Sequence, residues 1–215
     1  MATAAVITAA VEGSVDEALV RKICQAAGTE VSDIYGKKGK AFILARINGY
    51  NFSARHRHWA VLLDLDSDFP CAGRAAAAWL PQPAPLMCLR VAAREAEAWI
   101  LADDERIAEF LSVDRRFVPR RPDELADPKA EILNLARRSS SAAIREDLVP
   151  HPASGQAIGP AYNSRMIEFI TAGDRGWRLE VAARNSPSLD RCVRAITRLA
   201  VLPYPPQLPA GPAAP

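Results

Sequence analysis

Long apolar runs are missing from this 215-residue chain. No segment approaches the roughly 20 apolar residues of a membrane span, so a membrane location is not expected. The opening stretch "MATAAVITAAVEG" lacks a basic n-region, so a signal peptide is not expected and a cytoplasmic setting is. Cysteine is scarce: Cys24, Cys71, Cys88 and Cys192 lie far apart, and no two have CxxC spacing. Isolated thiols fit reduced cytosolic side chains better than a disulfide framework or a zinc site. Lysine is nearly as scarce, occurring only at 22, 37, 38, 40 and 129 among 27 Lys and Arg. With abundant Ala and Pro, that skew fits a GC-rich genome, so Arg-rich dipeptides are discounted as binding signals. Net charge is small, +2, too little to argue for nucleic acid or a membrane surface. There is no internal repeat, and the serines at 139–141 read as a loop with no nucleophile motif.

What is present is an ordinary globular composition, 49% hydrophobic and 24% charged, in a chain long enough for one sizeable α/β domain and a smaller appendage. Residues 4–12 read as a first strand, 15–27 as a helix that Gly28 ends, and 30–36 as a short strand. The stretch "KKGKAFILARINGYNF" reads as a loop and then one helix. Residues 59–65 form the clearest strand, followed by a helix over "AGRAAAAWL", a proline-rich connector at 81–85 and a strand over "LMCLRVAA". One helix is expected over "EAEAWILADDERIAEFL", with Ile100, Ile107, Phe110 and Leu111 roughly on one face; Trp99 and Phe110 are expected in the core. Strands alternating with helices imply a mostly parallel sheet flanked by helices, an α/β Rossmann-like class.

After about residue 112 the pattern turns helical. Asp127 is a plausible N-cap with Pro128 at the first helical position, and Ser186 with Pro187 repeats the signal. Residues 160–170 and 186–201 also read as helices. The expected organisation is an α/β domain over 1–112, a helical C-terminal extension over 113–202 packed on it, and a Pro-rich disordered tail over 203–215.

The chemistry concentrates at strand ends, where ligands bind in open parallel sheets. The first strand runs into Glu12-Gly13. Ser14 and Glu17 read as a capping box, and Asp16 sits in the first helical turn, where negative charge is favoured. Glu12 is left without a structural role. Asp64 and Asp66 end the later strand at a spacing of two, so both point to one side if it stays extended. Converging carboxylates repel unless a cation neutralises them, and oxygen ligands without His or Cys suit Mg²⁺ or Mn²⁺.

"VEGSVDEALV", followed some fifty residues later by the "DLD" of "AVLLDLDSD", resembles the TOPRIM signature: Glu-Gly after the first strand and Asp-x-Asp after a later one. TOPRIM domains occur in topoisomerases, bacterial-type primases and the overcoming-lysogenization-defect nucleases. The likeness spans about residues 5–111, half the chain. "KKGK", "REAEAWILAD" and "NSPSLDRC" extend it to small stand-alone TOPRIM-like domains of unknown function. A "DLD" at a strand end also occurs in haloacid-dehalogenase-type phosphatases and nucleotide-sugar transferases. In the phosphatases it follows the first strand and continues as Asp-x-Asp-x-Thr, whereas position 68 here is Asp.

The resemblance implies metal-dependent phosphodiester hydrolysis of nucleic acid, with DNA the expected partner and the choice between DNA and RNA as substrate left open, in a mobile-element or phage-defence setting. Glu12, Asp64 and Asp66 would be catalytic; the same three and Glu97 would hold Mg²⁺ or Mn²⁺, Glu12 also serving as general acid or base. Glu97 is preferred over Glu95 because its "EAW" context leads into the core Trp99. Gly13, Lys37, Lys38 and Lys40 would hold phosphate, with Gly39 allowing close approach, and Asp68 would be an auxiliary acid. "RHRH" at 55–58 reads as a basic surface patch that could touch a DNA backbone. The alternative is a non-catalytic metal- or nucleotide-binding regulatory module acting with a separate ATPase partner.

Overall fold

The computed structural model describes residues 5–204. Four strands, β1 (Val6–Val11), β2 (Glu30–Gly36), β3 (His58–Asp64) and β4 (Met87–Ala92), form one wholly parallel sheet in the order β2-β1-β3-β4. The two central strands are the most apolar: beyond Val6, every residue of β1 is buried, and so is β3 up to Asp64. Strands covered on both faces need such continuous runs, while the edge strand β2 carries Glu30, Ser32 and Asp33 in the open. From β1 the chain steps outward to β2, then returns across β1 to β3. The order of the sheet therefore reverses between β1 and β3, and the carboxyl ends of strands at such a switch point are where open parallel sheets form their ligand crevice.

Helix α1 (Ser14–Ala26) links β1 to β2; α2 (Lys40–Leu44) and α3 (Ile47–Ser53) link β2 to β3; α4 (Ala72–Trp79) links β3 to β4. Right-handed crossovers place α1 on one face and α2–α4 on the other. The side chains follow this rule. Ile7, Ala9, Val11, Ala60 and Leu62 pack with Leu19 and Ile23 of α1, while Ala10, Val61 and Leu63 pack with Ile43 and Tyr50.

With α4 on the second face, the first face of β3 and β4 needs other cover. The later helices supply it: α5 (Glu97–Leu101), α6 (Asp104–Leu111), α7 (Pro128–Arg137), α8 (Ala142–Leu148), α9 (Tyr162–Thr171), α10 (Leu179–Asn185) and α11 (Pro187–Val201), of which α11 lies against β3 and β4 and the others pack around it, α1 and one another. One apolar cluster runs from Ile7 through Trp99, Trp177 and Phe169 to Leu199, so these helices share the core of the sheet.

Several local expectations change. The helix expected over 95–111 is two helices, because Asp103 leaves helical geometry (φ −93°, ψ 72°) to cap α6. Fully buried, its carboxylate accepts from the Arg178 backbone N–H (2.8 Å) and guanidinium (2.7 Å). The single helix expected after the lysine loop is likewise the pair α2 and α3. Helices α8 and α10, of seven residues each, are too short to show a period; Ser141, read as loop, is the N-cap of α8. Asp127 and Ser186 cap α7 and α11 through Ala130 N–H and Leu189 N–H, as their sequence context suggests. His58 is no part of a surface patch: it starts β3 fully buried, with Nε2 2.9 Å from the Leu202 carbonyl oxygen. Of the disordered tail expected over 203–215, Pro203 and Tyr204 are described, with Tyr204 edge-on to His58, and residues 205–215 fall outside the described residues.

The turn leaving β2 depends on a glycine. Gly36 has φ +91°, and a Cβ there would stand 2.4 Å from the Val11 carbonyl oxygen, which also accepts the Lys37 N–H at 2.8 Å. Gly36→Ala is expected to destabilise the protein by roughly 2 kcal/mol or more. Gly28→Ala, at φ +72° but with open space around it, should cost only about 1 kcal/mol. Urea midpoints of the two variants give the ranking, and equal midpoints would refute it.

Candidate functional site

Glu12 follows β1 and Asp64 ends β3, so the two carboxylates meet at the crevice between adjacent strands. Glu12 Oε1 accepts the backbone N–H of Asp64 at 2.8 Å, and Asp64 Oδ1 accepts the Ala96 N–H at 2.9 Å. The second bond ties β3 to the segment entering α5. That segment delivers Glu97, which is 4% exposed.

A further acid arrives from α1. Only half of the expected capping box forms, and one residue earlier than its sequence suggests: Gly13, with no side chain to cap, is the N-cap, and Asp16 reaches back to accept the Gly13 N–H at 2.8 Å. Ser14 is the first helical residue, and Glu17 turns outward to Arg21 (2.9 Å) and Lys37 (3.0 Å). Asp16 is thereby buried beside Glu97 and Glu12. Burial, and then the Glu97 charge, push its carboxyl up to about 7 against the stabilising Gly13 N–H. Burial and the charges of Asp16, Glu97 and Glu12 raise Asp64 well above the carboxylate range. Burial also raises Glu12, with the Asp64 N–H and Lys40 opposing it.

The counter-charge within the cluster is Lys129, at the start of α7. Its ammonium lies 3.3 Å from Glu97 and 3.6 Å from Glu95. Burial favours its neutral form, but Glu97 and Glu95 more than offset this and raise its pKa. Glu95 accepts the Lys129 backbone N–H at 2.9 Å, so it serves the first turn of α7. The Tyr162 hydroxyl, from α9, donates to Glu97 at 3.4 Å.

Asp66 does not join Asp64. The strand stops at Asp64, and Asp66 takes a left-handed conformation (φ 48°), which ends the alternation that would have aligned them. Its carboxylate, 47% exposed, and that of Asp68 are held by Lys40 at 2.5 and 2.7 Å. Asp66 is close enough for its charge to raise Glu12. Lys40 and Lys37 are thus engaged with carboxylates, whereas Lys38 lies over the Phe42 ring. The Gly13 N–H is committed to Asp16, and Gly39 N–H donates to the Glu12 carbonyl at 3.1 Å. Among the described residues, no three Asp, Glu, His or Cys side chains converge in metal-ligating geometry in this conformation.

Comparison with known proteins finds no family model, no curated protein and no solved structure that matches the chain.

Asp16, Lys129 and Tyr162 are members of the cluster that sequence reasoning missed. Asp16 had a signal: it stands four residues after Glu12 and three after the Gly13 cap, where a side chain turns back toward the strand end. Lys129 and Tyr162 had none, since only tertiary packing carries α7 and α9 to the crevice.

These shifts set a pH dependence. Asp16 binds its proton more tightly folded than unfolded, so its contribution to stability is present in full below about pH 4 and lost as pH rises through about 7. Without divalent cation, stability should fall between pH 5 and 8 by on the order of 2–4 kcal/mol, roughly 5–15 °C in Tm. Asp16→Asn should flatten that slope and raise Tm at pH 8. Thermal melts in EDTA across this range test both, and an unchanged slope in the variant would remove Asp16 from the cluster.

Proposed function

We propose that the crevice is a divalent-cation site for phosphodiester hydrolysis of nucleic acid, with DNA as the expected partner, on a TOPRIM-like domain in the cytoplasm. One observation carries this reading: Glu12, Asp16, Asp64 and Glu97 gather at the β1–β3 switch point with Lys129 as the counter-charge. Four desolvated carboxylates are costly unless positive charge offsets them. The donor set is all hard oxygen, which fits Mg²⁺ or Mn²⁺ rather than zinc. Such an ion, when bound, polarises a phosphoryl oxygen and makes water nucleophilic near neutral pH.

The chain's own residues divide the work. Asp64 and Glu97 would hold the cation, backed by Asp16. Tyr162 and Lys129 orient Glu97 from the helical part. Glu12, partly exposed and with a raised pKa, is placed to move a proton to or from the attacking or leaving oxygen. Lys40 keeps Asp66 and Asp68 at the rim.

A second reading, a metal- or nucleotide-binding regulatory module working with a separate ATPase, draws on a different observation. Glu12, Asp16 and Asp64 each already accept a backbone N–H. Such bonds can make an acidic cluster structural rather than reactive.

Mg²⁺ or Mn²⁺ is expected to raise Tm, since binding to the folded state alone stabilises it. Asp64→Asn with Glu97→Gln should abolish the rise, while Glu95→Gln should retain it. Supercoiled, linear and single-stranded substrates with each metal test catalysis. Glu12→Gln should lose roughly 100-fold or more in cleavage at little cost in stability. A metal-dependent rise without cleavage of any substrate, alone or with an ATPase, favours the regulatory module. No rise at all overturns the site.

A further inference from the structure

The small net charge conceals a segregation. Residues 34–63 contain Lys37, Lys38, Lys40, Arg46, Arg55 and Arg57 and no Asp or Glu, although the chain has 25 acids. The remainder of the chain is therefore net negative. Lys37 and Lys40 are engaged by carboxylates, but Lys38, Arg46, Arg55 and Arg57 join no ion pair among the described residues. All four are exposed, on or beside α2 and α3.

Aromatic rings are interleaved with these cations. The Arg46 guanidinium lies 3.6 Å from the centre of the Phe42 ring, and the Lys38 ammonium lies 5.2 Å from it. The Arg55 guanidinium is 5.1 Å from the Phe52 ring. Phe52 is 64% exposed, a poor arrangement for a side chain whose only purpose is burial. At the neighbouring sheet edge, Tyr35 is 47% exposed and leans on Tyr50 and Trp59, with ring centres 6.2 and 5.5 Å away. The surface is continuous with the crevice: α2 springs from the lysine loop, whose Gly39 N–H bonds the Glu12 carbonyl.

We propose that the α2–α3 face is a binding platform for single-stranded nucleic acid, with unpaired bases stacking on Phe52 and phosphates held by Lys38, Arg46, Arg55 and Arg57. Exposed rings among free cations suit unpaired bases, because a ring face is available to stack only when the base has left its duplex. Helices of five and seven residues are too short to read a duplex groove as a recognition helix does. Charge complementarity selects a polyanion, and the rings select one with flat apolar faces. This inference rests on the proposed action at nucleic acid and narrows it to a strand that is unpaired where it crosses α3.

The test measures binding without cleavage. A fluorescently labelled single-stranded oligodeoxynucleotide of mixed sequence is titrated with the full chain in EDTA, beside the same sequence as duplex and vesicles of anionic phospholipid. The single strand is expected to bind at least roughly tenfold tighter than the duplex, with affinity falling as salt rises. Phe52→Ala should weaken it by roughly 5- to 100-fold, and Phe52→Trp should restore it. Arg46→Gln with Arg55→Gln should weaken binding and flatten the salt dependence. Thermal melts establish that these exposed variants remain folded. Equal or tighter duplex binding, an unaffected Phe52→Ala, preference for vesicles, or no binding would each overturn the proposal. Strand binding that persists where no substrate is cleaved sinks the nuclease reading alone; cleavage that persists while Phe52→Ala binds normally sinks only the platform.

Discussion

Four carboxylates withdrawn from water at one end of a parallel sheet are the constraint on which the rest of the molecule depends. Glu12, Asp16, Asp64 and Glu97 carry like charge at close quarters, and burial adds to the cost of ionising Glu12, Asp16 and Asp64. What makes the arrangement tolerable is local and specific. Backbone N–H groups of Gly13, Asp64 and Ala96 each meet one carboxylate, and a single ammonium, Lys129, stands against Glu97. Each of these donors depends on an exact meeting of strand end and helix start, so the acids lock the geometry that holds them.

The helical part after residue 112 acquires a purpose from this constraint. It covers the face of β3 and β4 that α4 leaves open, and it also completes the crevice. Lys129 comes from the first turn of α7, and Tyr162 from α9. Both reach Glu97. The segment between α9 and α10 is anchored separately, by Asp103, whose buried carboxylate holds Arg178, and by the Trp177 indole N–H donating to the Trp99 carbonyl at 2.9 Å. A change in the packing of α7 or α9 therefore bears on the electrostatics of the carboxylates directly.

The two sides of the crevice differ in charge. Toward α5 and α7 the surroundings are acidic with one lysine; toward α2 and α3 they are basic and aromatic. Lys40 stands at the border, its ammonium bound to Asp66 and Asp68 and lying 5.5 Å from the Trp79 ring. By holding both rim acids it keeps their charge away from the basic face. A polyanion approaching over α3 would meet cations first and the carboxylates only at the crevice.

The sequence by itself determined the class of fold, because strand and helix periods alternate through residue 111 and the central strands are apolar enough to be covered on both faces. It also determined that Glu12 and Asp64 would lie at strand ends and Glu97 where a strand gives way to a helix, and that Asp127 and Ser186 would open helices, since caps and strand ends are written in neighbouring residues. Other features are not local. Asp66 matched Asp64 by spacing alone, and in the left-handed turn that separates them its N–H bonds the Arg94 carbonyl while its carboxylate meets Lys40. Asp16 looked like a helix-start acid, and in one sense is; only the approach of α5 makes it a member of the cluster. Lys129 and Tyr162 lie more than a hundred residues from Glu12, and no periodicity carries that distance. The tertiary structure decided them, because a desolvated charge is answered by whatever packing brings near it.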